Sequence, residues 1–342
     1  TMPRRCLLRV LLVALLSLSV LTPVIATWTE DTSVGSTKSW QQITSSSDGT
    51  KLAAAVFNGN IWTSTDSGAT WTEDTSVGST KPWRGITSWS DGTKLAAAVS
   101  NENIWTSTDS GATWTEDTSV GRTISWNCIT SSSDGTKLAA GVWPGHIWTS
   151  TDSGATWTED TSVGSREQWA GITSSSDGTK LAAAVSPGNI WTSTDSGATW
   201  TEDTSVGSTK SWNGITSSSD GTKLATYAYN GNIWTSTDSG ATWTEVTSVG
   251  STKPWNGITS WSDGTKLAAT VTSGNIWTST DSGATWTEDT SVGSTKLWRS
   301  ITSSSDGTKL AATVSNGNIW TFSPPCDASG APSNGGAGDC TS

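Results

Sequence analysis

One histidine, four arginines beyond the first ten residues and two tyrosines are the groups in this chain best suited to chemistry. The arginines are Arg84, Arg122, Arg166 and Arg299, and the tyrosines are Tyr227 and Tyr229. His146 occupies a turn position that other stretches of the chain fill with Asn60 or Asn103. It therefore reads as a turn substitution, and with no second histidine neither a His-rich metal site nor an ordinary nucleophile triad can be assembled around it. Hydrolysis of a glycosidic bond needs two carboxylates singled out from their surroundings. Here Glu30, Asp48 and Asp66 recur along the chain in nearly identical context, and only Glu102, Glu167, Asp327 and Asp339 stand apart. A carboxylate copied into every repeat serves the repeat. Calcium takes oxygen ligands from such loops, but Asp66-Ser67-Gly68 and Asp48-Gly49 both read as turn chemistry. No catalytic residue, metal or cofactor is expected, and the chain reads as a non-enzyme.

These groups are set into a tandem array whose punctuation is tryptophan. The 342 residues contain 24 Trp but only two Phe and two Tyr. Trp28, Trp71, Trp114, Trp157, Trp200, Trp243 and Trp286 follow one another at intervals of 43 residues. The same interval separates the members of a second set that begins at Trp40 and a third that begins at Trp62. Trp89, Trp143 and Trp261 are the extras. A period of 40 to 50 residues holding several short strands marks the blades of a propeller. Helical repeats would space apolar residues by three and four, whereas here they alternate or cluster between Gly, Asp and Ser.

One repeat reads as four strands. Residues 40–44, 51–56, 61–65 and 70–75 are the candidates, separated by Ser47-Asp48-Gly49-Thr50, Asn58-Gly59-Asn60 and Asp66-Ser67-Gly68-Ala69. Asp-Gly favours the tight turns of hairpins. The array starts with a fourth strand at Thr27-Trp28-Thr29-Glu30 and stops after a third at Ile319-Trp320-Thr321. These half-units complement each other. The expected fold is all-β, a seven-bladed β-propeller of four-stranded antiparallel blades, its ring closed by the N-terminal strand completing the last blade. That arrangement removes the open edge at which sheets aggregate. The Trp62 set should pack between blades, and some of the Trp40 set should reach the channel mouth.

The segment Ser64-Thr65-Asp66-Ser67-Gly68-Ala69-Thr70-Trp71 resembles the Asp-box, the Ser-x-Asp-x-Gly-x-x-Trp motif of sialidase-type (BNR) repeat propellers. It recurs around Asp109, Asp152, Asp195, Asp238 and Asp281, and a seventh copy is lost where Pro23 and Pro324 stand. The resemblance covers residues 27–325. It implies a structural role for the box, with the Asp accepting backbone hydrogen bonds and the Trp packing. It also implies that a sialidase would carry an arginine triad, a Tyr/Glu pair and an acidic Asp. No arginine of this chain stands in an Arg-Ile-Pro context, so the chain resembles a non-catalytic member.

Outside the array lie two short segments. Residues 1–26 have the shape of a cleaved signal peptide: Arg4 and Arg5, an apolar run from Cys6 to Leu21, and small residues up to Ala26. That run is short for a membrane span, so a membrane association is expected only if the segment stays uncleaved. Residues 326–342 form a low-complexity tail in which Cys326 and Cys340 are placed to pair in an oxidising compartment. Cys128 is then the odd thiol. The formal net charge of −11 argues against nucleic acid as a partner. The chain is expected outside the cell or at its surface.

Where the repeats differ, function has room. Gln41, Arg84, Asn127, Asn213, Asn256 and Arg299 follow the Trp40-type residue, and Phe57, Trp143 and Tyr229 sit in the turn after the second strand, near His146. In a four-stranded meander both sets fall on one end of the ring, and the Asp-Gly turns and Asp-box turns fall on the other. Aromatic rings beside amides and guanidiniums suit sugars or extended polymers. The leading expectation is an extracellular binding or structural module for a protein, a glycan or copies of itself. A lectin with repeated sites and a sialidase-like glycoside hydrolase are the alternatives. A third comes from the resemblance, because photosystem-assembly factors share such propellers.

Overall fold

The computed structural model describes residues 27–323. The 1–26 segment, the Cys326–Cys340 pairing and the rest of the tail lie outside the described residues. Within them are 28 strands and no helix. The first unit pairs Lys38–Ser45, Leu52–Gly59, Ile61–Ser64 and Thr72–Glu73 in chain order, each antiparallel to the next. The first strands of the units that follow begin at Lys81, Ile124, Trp169, Trp212, Trp255 and Lys296. Strand Thr27–Asp31 joins the unit of Lys296. It lies antiparallel to Ile319–Ser323, with Trp28 opposite Phe322 and Glu30 opposite Trp320.

The second strand of each unit explains how sheets stack face to face. Leu52–Val56 is buried at every position, and Ala54 and Ala55 are fully enclosed. Small alanines leave room for the indoles of a neighbour. Trp40, Ile43, Trp62 and Trp71 of the first unit pack with Ala311 and Ile319 of the unit beside it. Trp62 meets Trp40 edge-on at 6.5 Å, a favoured aromatic geometry. Close packing of one large and one small residue across the contact fills the space without strain.

The Trp40 set corrects one expectation. Instead of reaching the mouth, Trp40, Trp83, Trp126, Trp169, Trp212, Trp255 and Trp298 are all fully buried. An indole gains more from burial than it loses, provided its N–H finds an acceptor. For five of the seven a glycine carbonyl at the adjacent unit's turn supplies one, as where Trp40 Nε1 donates to Gly317 O at 3.0 Å and Trp169 Nε1 to Gly145 O at 3.1 Å; Trp126 and Trp212 are buried without such a bond.

Apart from Thr27–Asp31, the fourth strands are also shorter than the sequence suggested, at two or three residues. Side chains capture the backbone on both sides of them. Asp66 Oδ1 accepts from Thr70 N–H at 2.9 Å, and Asp74 Oδ1 accepts from Ser76 N–H at 2.8 Å. Such local bonds compete with the sheet ladder.

At the Asp-Gly turns the units are tied together by their backbones. Ser47 N–H donates to Ser90 O at 2.8 Å, Ser90 to Ser133 at 3.0 Å, Ser133 to Ser176 at 2.8 Å and Ser176 to Ser219 at 2.7 Å. The series continues from Ser219 to Ser262 at 2.7 Å and Ser262 to Ser305 at 3.0 Å, and Ser305 N–H donates back to Ser47 O at 2.7 Å. Gly49 takes the left-handed φ of 69° that the turn requires. At the opposite end neighbouring units are also linked, but irregularly: register-shifted pairs such as Phe57 with Pro82 join some, and single bridges such as Gly145 to Glu167 join the others.

Candidate functional site

The first strands surround a cavity of about 430 Å³. Seven of the ten variable residues singled out in the sequence line it: Gln41, Arg84, Asn127, Trp143, Asn213, Asn256 and Arg299. Each first-strand contributor follows a buried Trp by one residue. The alternation of a strand turns the Trp into the contact between sheets and its successor toward the cavity. Phe57 opens onto a neighbouring depression with Leu297 and Arg299, and His146 onto another with Arg122, Trp143 and Arg166. Tyr229 stands apart on the surface, 57% exposed.

The polar groups of the cavity are held by neighbours. Asn127 Nδ2 donates to Trp169 O at 2.9 Å and Asn256 Nδ2 to Trp298 O at 3.0 Å, each reaching the next unit. Arg84 lies with its guanidinium carbon 4.9 Å from the centre of the Phe57 ring. Arg299 Nη1 is 3.4 Å from Asn256 Oδ1. Burial lowers the Arg299 pKa; Tyr227 nearby opposes that shift, and the like charge of Arg84 adds to it. His146 is half-buried in its turn, and its Nδ1 has no partner among the described residues.

Gln42 and Tyr227 are among the lining residues that the sequence reading did not single out as site candidates. Gln42 Oε1 accepts from Ile86 N–H of the next unit at 3.0 Å. Tyr227 is buried in a second strand, opposite Gly214, and its ring fills the space that glycine leaves. A Cβ on Gly214 would come within 2.8 Å of the ring. The same exchange occurs at Cys128 and Gly141, where a Cβ would meet the sulfur at 2.7 Å. The signal was present in the sequence: Gly141 stands where the other second strands carry Ala55, Ala98, Ala184, Tyr227, Thr270 and Thr313. Burial pushes the Cys128 thiol up to about 12, which favours its protonated form. Burial also raises the Tyr227 phenol, keeping it a neutral donor.

The far end is lined almost wholly by serines, from Ser45, Ser46 and Ser47 round to Ser303 and Ser305, with Trp89 among them. Trp89 overlies Gly135 of the next unit, where an added Cβ would strike its ring at 1.8 Å, and Lys94 Nζ sits 4.2 Å from the ring centre. Trp261 overlies Gly307 in the same manner.

Asp66 and its counterparts Asp109, Asp152, Asp195, Asp238 and Asp281 lie in the turns between third and fourth strands. Ser64 Oγ donates to Asp66 Oδ1 at 2.8 Å and itself accepts from Gly68 N–H at 2.9 Å. Trp71 Nε1 returns to Gly68 O at 3.2 Å. Ser67 holds a left-handed φ of 61° inside this net. Burial raises the Asp66 pKa, but donors from Thr70 and Ser64 outweigh it and the net shift is downward. Among the described residues no three His, Cys, Asp or Glu side chains are grouped to hold a metal ion.

No family model and no curated protein matches this sequence. Solved structures do match its shape. YCF48 from Cyanidioschyzon merolae superposes with a TM-score of 0.67 at 17% identity, over 87% of this chain and 99% of that one. YCF48 bound to D1 peptide gives 0.69 at 15% identity, over 87% and 97%. The chain is a β-propeller. A GH74 xyloglucanase from Xanthomonas campestris gives 0.66 at 15% identity, over 86% of this chain and 53% of that one. At such identities the likeness is one of fold, and propellers of this shape include both an enzyme and a peptide-bound protein. The propeller's own cavity must therefore decide between them.

Proposed function

We propose that the chain is a non-enzymatic propeller that binds an extended segment of another protein at the variable end of its central cavity. One observation carries the reading: units built to a single template contribute different polar side chains to that cavity, while the opposite end repeats serine. A structural scaffold needs no such difference. None of the residues lining the cavity is Asp, Glu or His, so neither a carboxylate pair nor a histidine base is at hand there. That favours binding over hydrolysis. YCF48 bound to D1 peptide shares the fold, and peptide capture is the use we carry over.

We further propose that the seven four-stranded units are blades of one closed ring, stitched by strand Thr27–Asp31. The return of the serine series from Ser305 to Ser47 supports this. In the same reading the six Asp66-type turns are Asp-boxes whose carboxylates serve only to hold the turn.

A panel of fluorescent peptides titrated against the full chain tests the function. Affinity that falls on substituting Asn127 or Asn213 by Ala, and is untouched by Ser90→Ala at the serine end, supports it. Binding indifferent to every cavity substitution would remove it, and turnover of a glycoside substrate would replace it with the hydrolase reading.

A further inference from the structure

We infer that the cavity takes a carboxylate of its ligand between Arg84 and Arg299, which narrows the peptide proposed above to an acidic segment and rests on that proposal. The chain carries 30 Asp plus Glu against 19 Lys plus Arg, yet both charged groups lining this cavity are guanidinium cations. They belong to the units on either side of Lys38–Ser45, the strand that carries Gln41 and Gln42 into the same space.

Neither guanidinium is neutralised by the protein around it. Phe57 offers Arg84 a ring face, and Asn256 offers Arg299 a neutral oxygen. The ion pairs among the described residues are Lys81–Glu102 and Arg122–Glu159, both outside this cavity. A partly buried cation with no anion is costly to hold, and a second cation nearby adds to that cost. An entering carboxylate offsets both terms, and a guanidinium meets it with two parallel N–H donors. Because a protein-lined space screens less than water, the attraction is stronger than it would be at the surface. Tyr227, buried on the same wall and kept neutral, adds an O–H rather than a competing negative charge. The fold does not ask for these arginines, since the equivalent positions hold Gln41, Asn127, Ala170, Asn213 and Asn256. The volume of about 430 Å³ suits a side chain or a chain end.

The test uses the full chain and a dye-labelled Gly-Glu-Glu-Glu-Gly amide beside its Gln counterpart, read by fluorescence polarisation. The Glu peptide is expected to bind about tenfold or more tightly than the Gln peptide, and to weaken with salt. Arg84→Gln and Arg299→Gln, which install a residue the template already uses at Gln41, should each erase most of that preference. Arg166→Gln removes the same charge beside Pro144 and should leave it intact. If Arg166→Gln weakens binding equally, the effect is the general field of the protein and the inference fails. If both peptides bind alike at the cavity, the inference fails while the peptide proposal stands. The side-chain Nε–H NMR signals of the few arginines, titrated with acetate, separate the remaining case. Shifts confined to Arg84 and Arg299 with neither peptide bound keep the anion site and remove the peptide. No shifts and no binding remove both.

Discussion

The two ends of the first strands face two different cavities and obey different rules. At the serine end, backbone N–H and C=O groups of consecutive units bond to one another, from Ser47 round to Ser305. A side chain there must stay small or lie across the neighbouring turn as Trp89 does. At the variable end the backbones of neighbouring units also bridge, but through register-shifted pairs or single bridges that differ from one unit to the next. The side chains facing the cavity are free to differ as long as a large one meets a small one across the strand pair, as Tyr227 meets Gly214 and Cys128 meets Gly141. One repeated backbone bond goes with a uniform sequence at one end, and irregular bridges go with a varied sequence at the other. Prolines mark the boundary: Pro82, Pro144, Pro187 and Pro254 all lie at the variable end, where a missing N–H costs little.

Four changes would break or sharpen this contrast. Trp169 is fully buried between the ends, and Trp169→Ala should cost about 3–5 kcal/mol in chemical denaturation. A loss below about 1 kcal/mol would mean that the ends do not share a core. Next comes a paired proline scan. Ser176→Pro deletes the donor to Ser219 O and should cost about 3 kcal/mol. Ser211→Pro places proline where Pro82 and Pro254 already stand and should change stability by less than about 1 kcal/mol. Equal costs at both ends would refute the contrast.

Gly214→Ala comes third. Its Cβ would press on the Tyr227 ring, for a cost of about 1–3 kcal/mol. Adding Tyr227→Ala should recover much of that loss, a coupling that a double-mutant cycle reads directly. Strict additivity would show that the two residues do not share the space.

The smallest effect is acid sensitivity at the serine end. The Ser175, Ser218 and Thr242 hydroxyls are the foremost donors holding Asp177, Asp220 and Asp238, in that order, at about 2, against an ordinary value of 3.8. A carboxyl whose folded pKa is depressed stabilises the fold above its unfolded pKa and loses that contribution as pH falls through the folded one. Stability should therefore hold above about pH 4 and decline toward pH 2. Amide exchange should rise first at the Asp-Gly turns. A decline that begins near pH 6 would point to other groups.

Much of this was legible in the repeat itself. The 43-residue interval set the number and order of strands, because Asp-Gly and Asp-Ser-Gly turns close short hairpins whatever surrounds them. The pairing of Thr27–Asp31 with Ile319–Ser323 followed from the matching half-units at the two ends of the array. The positions where the repeats disagree, from Gln41 to Arg299, were also visible, and seven of the ten singled out share one cavity. What the sequence missed were relations between residues far apart in the chain. The Trp40 set looked available for the mouth, but packing between neighbouring units buries all seven, and five also reach a glycine carbonyl of the neighbour, such as Gly317 beside Trp40.

Local turn chemistry and periodicity thus belonged to the sequence alone, because they depend on residues a few positions apart. The tertiary structure alone decided which side chains face water and which charges lie without a counterion. Tyr227 entered the cavity because Gly214 left space across the strand pair. Arg84 and Arg299 became neighbours because two units flank a third. Burial and electrostatics act through space, so a residue's environment is set by partners that the chain brings near only after it has folded.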